Sequence, residues 1–355
     1  MFIKKEKMKN NNNFIEKIVT SQNPYFIAEI GINHNGSVHL AKEMIESAAK
    51  NGADCVKFQS FIADEYISTF AEKASYQDEK EYSSKSQKEI IKECELTIKE
   101  MEDLKDYSSS INIDFLSTPF EITSLENLVN INVSALKISS CNLTNYPFLK
   151  RAAETGLPIL LSTGMANMEE VDKAVKIFKD KNNSLLIFQC TSNYPSSIKN
   201  SNINVIKTYI DRYNVPVGLS DHTQSNIAAV TAIASGAVVV EKHFTVSRDL
   251  PGIDQNASIN PKELNQLISD LKDSRLSLGS YEKFRSDEEE DTFNALRRSL
   301  VASRDIFPGE VIEESMISIM RPGNGLSTNY IDKIIGKKAK QTINKYQLFR
   351  IEDFI

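Results

Sequence analysis

The sequence predicts an α/β protein: a closed (β/α)8 TIM barrel followed by a small second domain. From residue 25 to about residue 278, short apolar segments that end in polar residues alternate with segments of helical periodicity. This alternation is typical of repeated βα units around a parallel sheet, and eight units close a barrel. The predicted strands span residues 25–30, 54–58, 114–116, 135–138, 158–161, 185–189, 215–219 and 238–241. A doubly wound open sheet is the alternative, but no G-x-G-x-x-G motif follows the first strand.

A change of composition after residue 278 marks the boundary of the second domain. The segment SDEEEDTFNALRRSL is acidic and typical of a solvated linker, and the following short β-like segments are separated by the turn signals PG and PGNG. We therefore predict a barrel over residues 23–282, a linker over 283–295 and a C-terminal domain over 296–355. Residues 1–22, which include an asparagine run, are predicted to be disordered or loosely ordered.

The composition argues against several classes of protein. With 41% hydrophobic and 25% charged residues, the chain is typical of a globular protein in water. The beginning of the chain lacks the apolar stretch of a signal peptide, and no later segment is long and apolar enough for a membrane span, so we predict a cytoplasmic protein with no membrane partner. The net charge of −6 argues against a nucleic-acid partner, and the four scattered cysteines argue against a disulfide framework.

Polar residues end or follow the predicted strands. The motifs at these positions are AEIGINHNG, VKFQS, STPFE, KISSCN, LSTGM, QCTSNYP, GLSDHT and EKHFT. Because the carboxyl ends of parallel barrel strands converge on one mouth, residues far apart in sequence can form one site there. The candidate site residues are Glu29, Lys57, Lys137, Ser140, Ser162, Ser220, His222 and His243.

Two lysines are predicted to bind a small anion. A lysine at a strand end usually extends its ammonium group to solvent, but Lys57 and Lys137 occupy corresponding ends of two strands. Together with neighbouring serine hydroxyls, their ammonium groups could hold both a carboxylate and a phosphate. Backbone N–H groups of the glycine-containing turns could assist.

Two histidines are predicted to share a divalent metal ion. His222 and His243 close neighbouring strands, so their imidazoles can meet at one ion. Two imidazoles completed by water and a substrate oxygen suit Mn²⁺, with Mg²⁺ or Co²⁺ as alternatives. Asp221 or Glu241 is expected to hold one of the histidines by a hydrogen bond.

Taken together, these motifs resemble those of the N-acetylneuraminate (sialic acid) synthase family, which includes legionaminic and pseudaminic acid synthases. The resemblance continues through PGIDQNAS, RRSLVASRDIFPGE and RPGNG and so covers nearly the whole chain. It implies that the second domain is a C-terminal SAF (antifreeze-like) domain. It also implies a domain-swapped homodimer, in which this domain lies over the barrel of the partner chain.

The resemblance assigns roles to individual residues. His222 and His243 match manganese ligands, and Glu29 matches a carboxylate beside the reacting centre. The positions that match contacts to phosphoenolpyruvate are Lys57, Lys137, Ser140, Ser162 and Ser220. The positions that match contacts to the sugar, or flank it, are Gln59, Ser192, Tyr194, Asp254 and Arg321. Asn142 stands where the family commonly has a carboxylate that binds sugar hydroxyls, so we expect it to influence the choice of sugar.

The activity implied by the resemblance is a condensation. Phosphoenolpyruvate and an open-chain N-acylated mannosamine-type hexosamine would give a nine-carbon 2-keto-3-deoxy acid and phosphate, with Glu29, Lys57 and Lys137 as catalytic residues. N-acetylneuraminate synthase is the first interpretation, and a legionaminic acid synthase acting on 2,4-diacetamido-2,4,6-trideoxymannose is the alternative. Two further interpretations are a Schiff-base aldolase with Lys57 or Lys137 as nucleophile, and a non-catalytic sugar- or anion-binding regulator, which Asn142 would favour.

Overall fold

A computed structural model describes residues 13–71 and 85–355. Eight parallel strands form one sheet in the order β3-β2-β1-β8-β7-β6-β5-β4. Because β3 also lies beside β4, the sheet closes into a barrel, as predicted. The strands are β1 Tyr25–Gly31, β2 Cys55–Ser60, β3 Asp114–Pro119, β4 Leu136–Ile138, β5 Ile159–Ser162, β6 Leu185–Cys190, β7 Val217–Asp221 and β8 Val239–His243. Most of them extend further at their carboxyl ends than the sequence predicted, so polar residues of the motifs belong to the strands themselves.

Helices alternate with the strands along the chain. Short polar sequences begin several of them: the pairs Thr97/Glu100, Asn167/Glu170 and Asn260/Glu263 each form a capping box, which satisfies main-chain N–H groups at the start of the helix. The helices of the barrel unit are α1 Asn13–Thr20, α2 Val38–Lys50, α3 Ala63–Tyr66, α4 Gln87–Glu93, α5 Ile98–Ser110, α6 Ile122–Asn130, α7 Tyr146–Glu154, α8 Met168–Asp180, α9 Asn204–Tyr213, α10 Ile227–Ala234 and α11 Pro261–Ser277. Of the described helices, none is long and apolar enough to cross a bilayer.

Helix α1 corrects the prediction for the N-terminal segment. Residues 13–20 are helical, and Phe14, Ile15 and Ile18 are buried against the inward-facing side chains at the amino ends of the strands, including Tyr25 and Ile27. The spacing of these apolar residues places them on one face of a helix, and this face covers the apolar end of the barrel interior. The prediction of disorder is therefore wrong for residues 13–20, and residues 1–12 lie outside the described part of the chain.

The chain divides into two compact units between Gly279 and Ser280. In the second unit, α12 Glu290–Leu296 occupies the carboxyl-terminal part of the predicted linker. Strands β9 Ser299–Ala302 and β10 Ile317–Met320 pair in antiparallel fashion, and a short helix, α13, spans Ile331–Ile334. The unit has its own apolar core, which includes Leu300, Ala302, Ile306, Ile312, Met316, Ile334, Ala339, Ile343, Phe349 and Phe354.

Candidate active site at the carboxyl ends of the barrel strands

A cavity of about 520 Å³ lies at the carboxyl ends of the barrel strands. Most of the residues singled out in the sequence meet there, although they come from seven different βα units. The predicted residues that line it are Glu29, Lys57, Gln59, Lys137, Ser140, Ser162, Ser192, Tyr194, Ser220, His222, His243 and Asp254. Polar side chains from many strands thus share one concave site, as the geometry of a parallel barrel requires.

Two buried lysines and two buried carboxylates form the floor of the cavity. Lys57 Nζ lies 2.6 Å from Glu29 Oε2 and 3.9 Å from Glu241 Oε2. Lys137 Nζ lies 3.2 Å from Glu241 Oε1 and donates a hydrogen bond to Ser162 Oγ at 2.7 Å. Glu241 therefore bridges the two ammonium groups, and the two positive and two negative charges balance.

Burial and the neighbouring charges shift the pKa of each of these four groups. Burial alone would raise the pKa of Glu241, but Lys137 and Lys57 outweigh it and lower that pKa to about 2. Burial raises the pKa of Glu29 even though Lys57 opposes the shift. Burial would lower the pKa of Lys57, but Glu241 and Glu29 raise it, whereas burial keeps the pKa of Lys137 below its ordinary value. The two lysines thus favour the ionised form of Glu241, and Glu29 is the carboxyl group better able to carry a proton.

Serine residues complete the anion-binding part of the cavity. Ser220 donates a hydrogen bond to Glu241 Oε1 at 3.0 Å, and the N–H of Gly164 donates to Ser140 Oγ at 2.9 Å. A Cβ at position 164 would lie 2.1 Å from Ser192 Oγ and 2.8 Å from Ser140 Oγ, so any side chain there would displace these hydroxyl groups. Glycine therefore allows the β5–α8 loop to approach these hydroxyl groups closely.

The two candidate metal ligands lie side by side at the ends of β7 and β8. The ring centroids of His222 and His243 are 5.5 Å apart. His222 Nδ1 lies 2.8 Å from the main-chain oxygen of Thr191 and must donate to it, which leaves Nε2 as the nitrogen that could bind a metal. Burial would lower the pKa of His222, but Cys190 and the Thr191 carbonyl raise it, so Nε2 must lose any proton before it binds a metal. His243 Nδ1 is buried, has no hydrogen-bond partner among the described residues, and lies 3.9 Å from Asp254 Oδ2.

This arrangement fits a divalent ion held by two imidazoles. Burial, together with His222 and Lys57, lowers the pKa of His243 well below its usual range, so this ring is neutral as a ligand must be. Within residues 13–71 and 85–355, no group of three or more His, Cys, Asp or Glu has the geometry to hold a metal. An ion here would therefore take its other ligands from water or substrate.

Comparison with known proteins identifies the family. The model described as NeuB family matches residues 44–283, and the model described as SAF domain matches residues 297–355. The chain belongs to the NeuB family. It is 37% identical to the N,N'-diacetyllegionaminic acid synthase of Legionella pneumophila over 92% of this chain and 93% of the relative. It is 38% identical to the protein of the same name from Campylobacter jejuni, over 91% of this chain and 98% of the relative.

A solved structure agrees with this membership. The crystal structure of N-acetylneuraminic acid (sialic acid) synthetase from Leptospira borgpetersenii serovar Hardjo-bovis in complex with citrate is 36% identical in sequence. It superposes with a TM-score of 0.67 over 77% of this chain and 91% of that chain. The predicted family and the (β/α)8 barrel with a C-terminal SAF domain are confirmed. The protein is a NeuB-family synthase, an enzyme of the phosphoenolpyruvate-dependent condensing type.

The described residues that line the cavity of this NeuB-family barrel do not include Asn142, one of the residues predicted to contact the sugar. Asn142 belongs to a 3₁₀ turn, Ser140–Asn142, in which its Nδ2 donates to the main-chain oxygen of Phe120 at 3.1 Å. Its Oδ1 accepts a hydrogen bond from Asn145 Nδ2 at 3.1 Å, so both ends of the amide are engaged in holding the β4–α7 loop. Arg321 lies in the SAF unit, where it is exposed.

The histidines of this family member are not held by the expected carboxylates. Glu241 accepts hydrogen bonds from Lys137 and Ser220, while Asp221 forms an ion pair with Lys242. The expectation that Asp221 or Glu241 holds a histidine is therefore wrong. Asp221 alternates with inward-facing residues along β7 and so points away from the cavity. A main-chain carbonyl holds His222 instead, and no sequence pattern marks such a partner.

The cavity also has an apolar wall that the sequence did not reveal. It is formed by Phe61, Tyr66, Ile67, Phe120 and Ile253, which come from loops and short helices beyond the strand ends. Tyr194 also lines the cavity, and its ring centroid lies 4.2 Å from that of His222. Burial raises the pKa of Asp254 to about 6. The cavity therefore combines a charged floor with an amphipathic upper part.

Proposed function

We propose that this NeuB-family protein condenses phosphoenolpyruvate with an open-chain N-acylated mannosamine-type sugar. The products are a nine-carbon 2-keto-3-deoxy acid and inorganic phosphate. The observation that carries the proposal is the buried cluster of Lys57 and Lys137 around Glu241, with Glu29 beside it, in the same cavity as the histidine pair. Such a cluster can bind a compact, multiply charged anion next to a group that moves a proton.

The lysines and serines would bind and orient phosphoenolpyruvate. Its carboxylate and phosphate oxygens would accept hydrogen bonds that the ammonium groups of Lys57 and Lys137 now donate to carboxylates and hydroxyls. Carbon 3 then attacks the aldehyde carbon of the sugar, and water adds to carbon 2. The resulting tetrahedral intermediate loses phosphate by cleavage of its carbon–oxygen bond. Glu29 is the residue placed to transfer the proton in these steps, because it is buried beside Lys57 and has a raised pKa.

A divalent cation, with Mn²⁺ as the first candidate and Mg²⁺ or Co²⁺ as alternatives, completes the proposal. His222 and His243 would hold it, and the chemistry that it would supply is polarisation of the aldehyde carbonyl. Two observations support this assignment: the buried ring of His243 has a lowered pKa, and the bond from His222 Nδ1 to the Thr191 carbonyl leaves Nε2 of that ring for the ion. Tyr194 packs against both rings and restricts their orientation.

Two acceptor sugars are proposed. N-acetylmannosamine, which would make the protein an N-acetylneuraminate synthase, is the first. The second is 2,4-diacetamido-2,4,6-trideoxymannose, which two observations support, just as the sialic acid synthetase structure at 36% identity supports the first. Two relatives at 37% and 38% identity are named N,N'-diacetyllegionaminic acid synthase. In addition, the apolar wall that includes Phe61, Phe120 and Ile253 suits a methyl or acetamido group better than a hydroxyl group.

A single labelling experiment tests the reaction and the acceptor together. Phosphoenolpyruvate that carries ¹⁸O in its bridging position is incubated with the protein, Mn²⁺ and each sugar in turn, and the products are analysed by mass spectrometry. Cleavage of the carbon–oxygen bond predicts that the label leaves with phosphate. Label retained in the keto acid would contradict the mechanism, and no phosphate release with either sugar would favour a binding protein without catalysis. A Schiff-base aldolase would instead consume pyruvate and would be trapped by borohydride on Lys57 or Lys137.

We further propose that the protein acts as a domain-swapped homodimer in which Arg321 serves the active site of the partner chain. The family resemblance and the exposed position of Arg321 in the SAF unit support this proposal. Under this arrangement, Arg321→Ala impairs the partner's site, whereas Lys137→Ala impairs its own. In a mixed dimer, one site collects both defects and the other site is intact.

Co-refolding of the two inactive variants is therefore expected to restore activity. Random reassortment of equal amounts makes about half of the dimers mixed, so about a quarter of all sites would be intact. Turnover is measured before and after co-refolding, and native mass spectrometry confirms the mixed dimers. If mixed dimers form and no activity returns, each chain completes its own site and the swapped arrangement is incorrect.

A further inference from the structure

A buried ion pair lies directly behind the two histidines. Asp221 and Lys242 are direct partners in the register of β7 and β8, and each immediately precedes a histidine, His222 or His243. Lys242 Nζ lies 2.6 Å from Asp221 Oδ2, and both side chains are almost completely buried, with exposed fractions of 1% and 2%. Because side chains alternate along a strand, this pair points away from the cavity into which the histidines project.

A buried ion pair of this kind contributes little to the stability of the folded protein. Two charges lose their hydration when they are buried, and their attraction offsets this loss only in part. Replacing both partners by apolar side chains of similar volume is often neutral or stabilising, whereas removing one partner leaves a buried charge and is strongly destabilising. Stability alone therefore does not account for this pair.

The additional hydrogen bonds of the pair converge on the residue that follows His222. Asp221 Oδ1 accepts a hydrogen bond from the main-chain N–H of Thr223 at 2.9 Å. Lys242 donates a hydrogen bond to the main-chain oxygen of the same residue. The main chain on either side of His222, at Asp221 and Thr223, is thus fixed by hydrogen bonds. One of the partners is Lys242, the residue that precedes His243. These contacts join the end of β7 to the end of β8.

We propose that Asp221 and Lys242 are positioning residues that fix the separation and orientation of His222 and His243. The inference rests on the proposed function, in which the two imidazoles hold a divalent ion. The pair ties the end of β7 to the end of β8 without itself entering the cavity. Removing it would leave both metal-binding side chains in place while loosening the geometry between them.

The test uses the double variant Asp221→Leu/Lys242→Met in the full-length chain. We expect its unfolding midpoint in urea, measured without metal, to fall only moderately, because no unpaired charge remains and the loss is confined to the hydrogen bonds with the main chain of Thr223. We also expect its dissociation constant for Mn²⁺, measured from the electron paramagnetic resonance signal of free Mn²⁺, to rise about 10- to 100-fold. In the metal-free protein, the ring signals of the two histidines in nuclear magnetic resonance spectra should shift relative to the parent.

An exposed ion pair provides the control. Asp172→Leu/Arg212→Met removes a pair between α8 and α9, with Arg212 Nη2 2.6 Å from Asp172 Oδ2, and should leave Mn²⁺ affinity and the histidine signals unchanged. If the apolar double variant does not fold, Asp221→Asn/Lys242→Met replaces it, since the amide oxygen can still accept the N–H of Thr223. A folded variant with parental Mn²⁺ affinity and parental histidine signals would overturn the inference.

A failure of the proposed metal role can be distinguished from a failure of the positioning role. If the metal role fails, the parent and His243→Ala would bind Mn²⁺ equally. The positioning role would then be decided by the histidine signals of the metal-free double variant alone. Shifted signals would support the inference, and unshifted signals would overturn it.

Discussion

Lys137→Met is expected to lower kcat/KM for phosphoenolpyruvate by a factor of about 10² to 10³. The ammonium group of Lys137 is buried and contacts Ser162 Oγ at 2.7 Å and Glu241 Oε1 at 3.2 Å. Methionine has a similar length and no charge, so the variant keeps most of the packing. In the variant, the Glu241 carboxylate has one ammonium group as a neighbour instead of two. The balanced cluster then carries a net negative charge, which repels an anionic substrate where water cannot screen the repulsion.

The measurement is steady-state release of phosphate as a function of phosphoenolpyruvate concentration. Lys176→Met is a matched control, because Lys176 forms an exposed ion pair with Asp180 on α8 at 2.8 Å. Exposed pairs of this kind contribute little, so the control should have parental kinetics. A loss of less than about threefold in the Lys137 variant would show that its charge does not stabilise the transition state.

The barrel could be predicted because each strand carries its own local signal. Every predicted strand is present in the structure. A short apolar segment bounded by polar residues, when it alternates with helical segments, indicates a buried β-strand. The N-terminal helix was missed, although Phe14, Ile15 and Ile18 already have helical spacing in the sequence. A helix of eight residues has weak intrinsic stability, and its burial against the barrel stabilises it. That burial is a tertiary contact, which the local sequence does not contain.

The candidate site shows a similar division between local and tertiary information. The alternation along β8 places Glu241 and His243 on one face and Lys242 on the other, so the inward position of Glu241 could have been predicted. The contacts of Glu241 with two lysines could not have been predicted in this way, because the lysines come from other strands. The orientation of the loop residue Asn142 could not be predicted for a related reason. A turn does not have a fixed side-chain period, and its amide proved to be engaged with Phe120 and Asn145.

Glu29→Gln is expected to lower kcat by a factor of about 10² to 10⁴ while changing KM for phosphoenolpyruvate much less. Glutamine keeps the size of the side chain and can still accept a hydrogen bond from Gln59, whose Nε2 lies 3.3 Å from Glu29 Oε1. It cannot take up and release a proton. The parent carboxyl group is suited to this task because burial raises its pKa, although Lys57 lies only 2.6 Å away.

The distribution of the loss between kcat and KM distinguishes proton transfer from substrate binding. If Glu29 only held Lys57 in place, its replacement would raise KM for phosphoenolpyruvate, as expected for a weakened anion site. If Glu29 moves a proton, kcat falls, and the solvent deuterium isotope effect on kcat changes from that of the parent. Glu126→Gln is the control, because Glu126 forms an exposed ion pair with Arg151 at 2.9 Å. This variant should have the kcat and KM of the parent. Retention of kcat within about threefold in Glu29→Gln would assign the proton transfer to another group and leave Glu29 as a partner of Lys57.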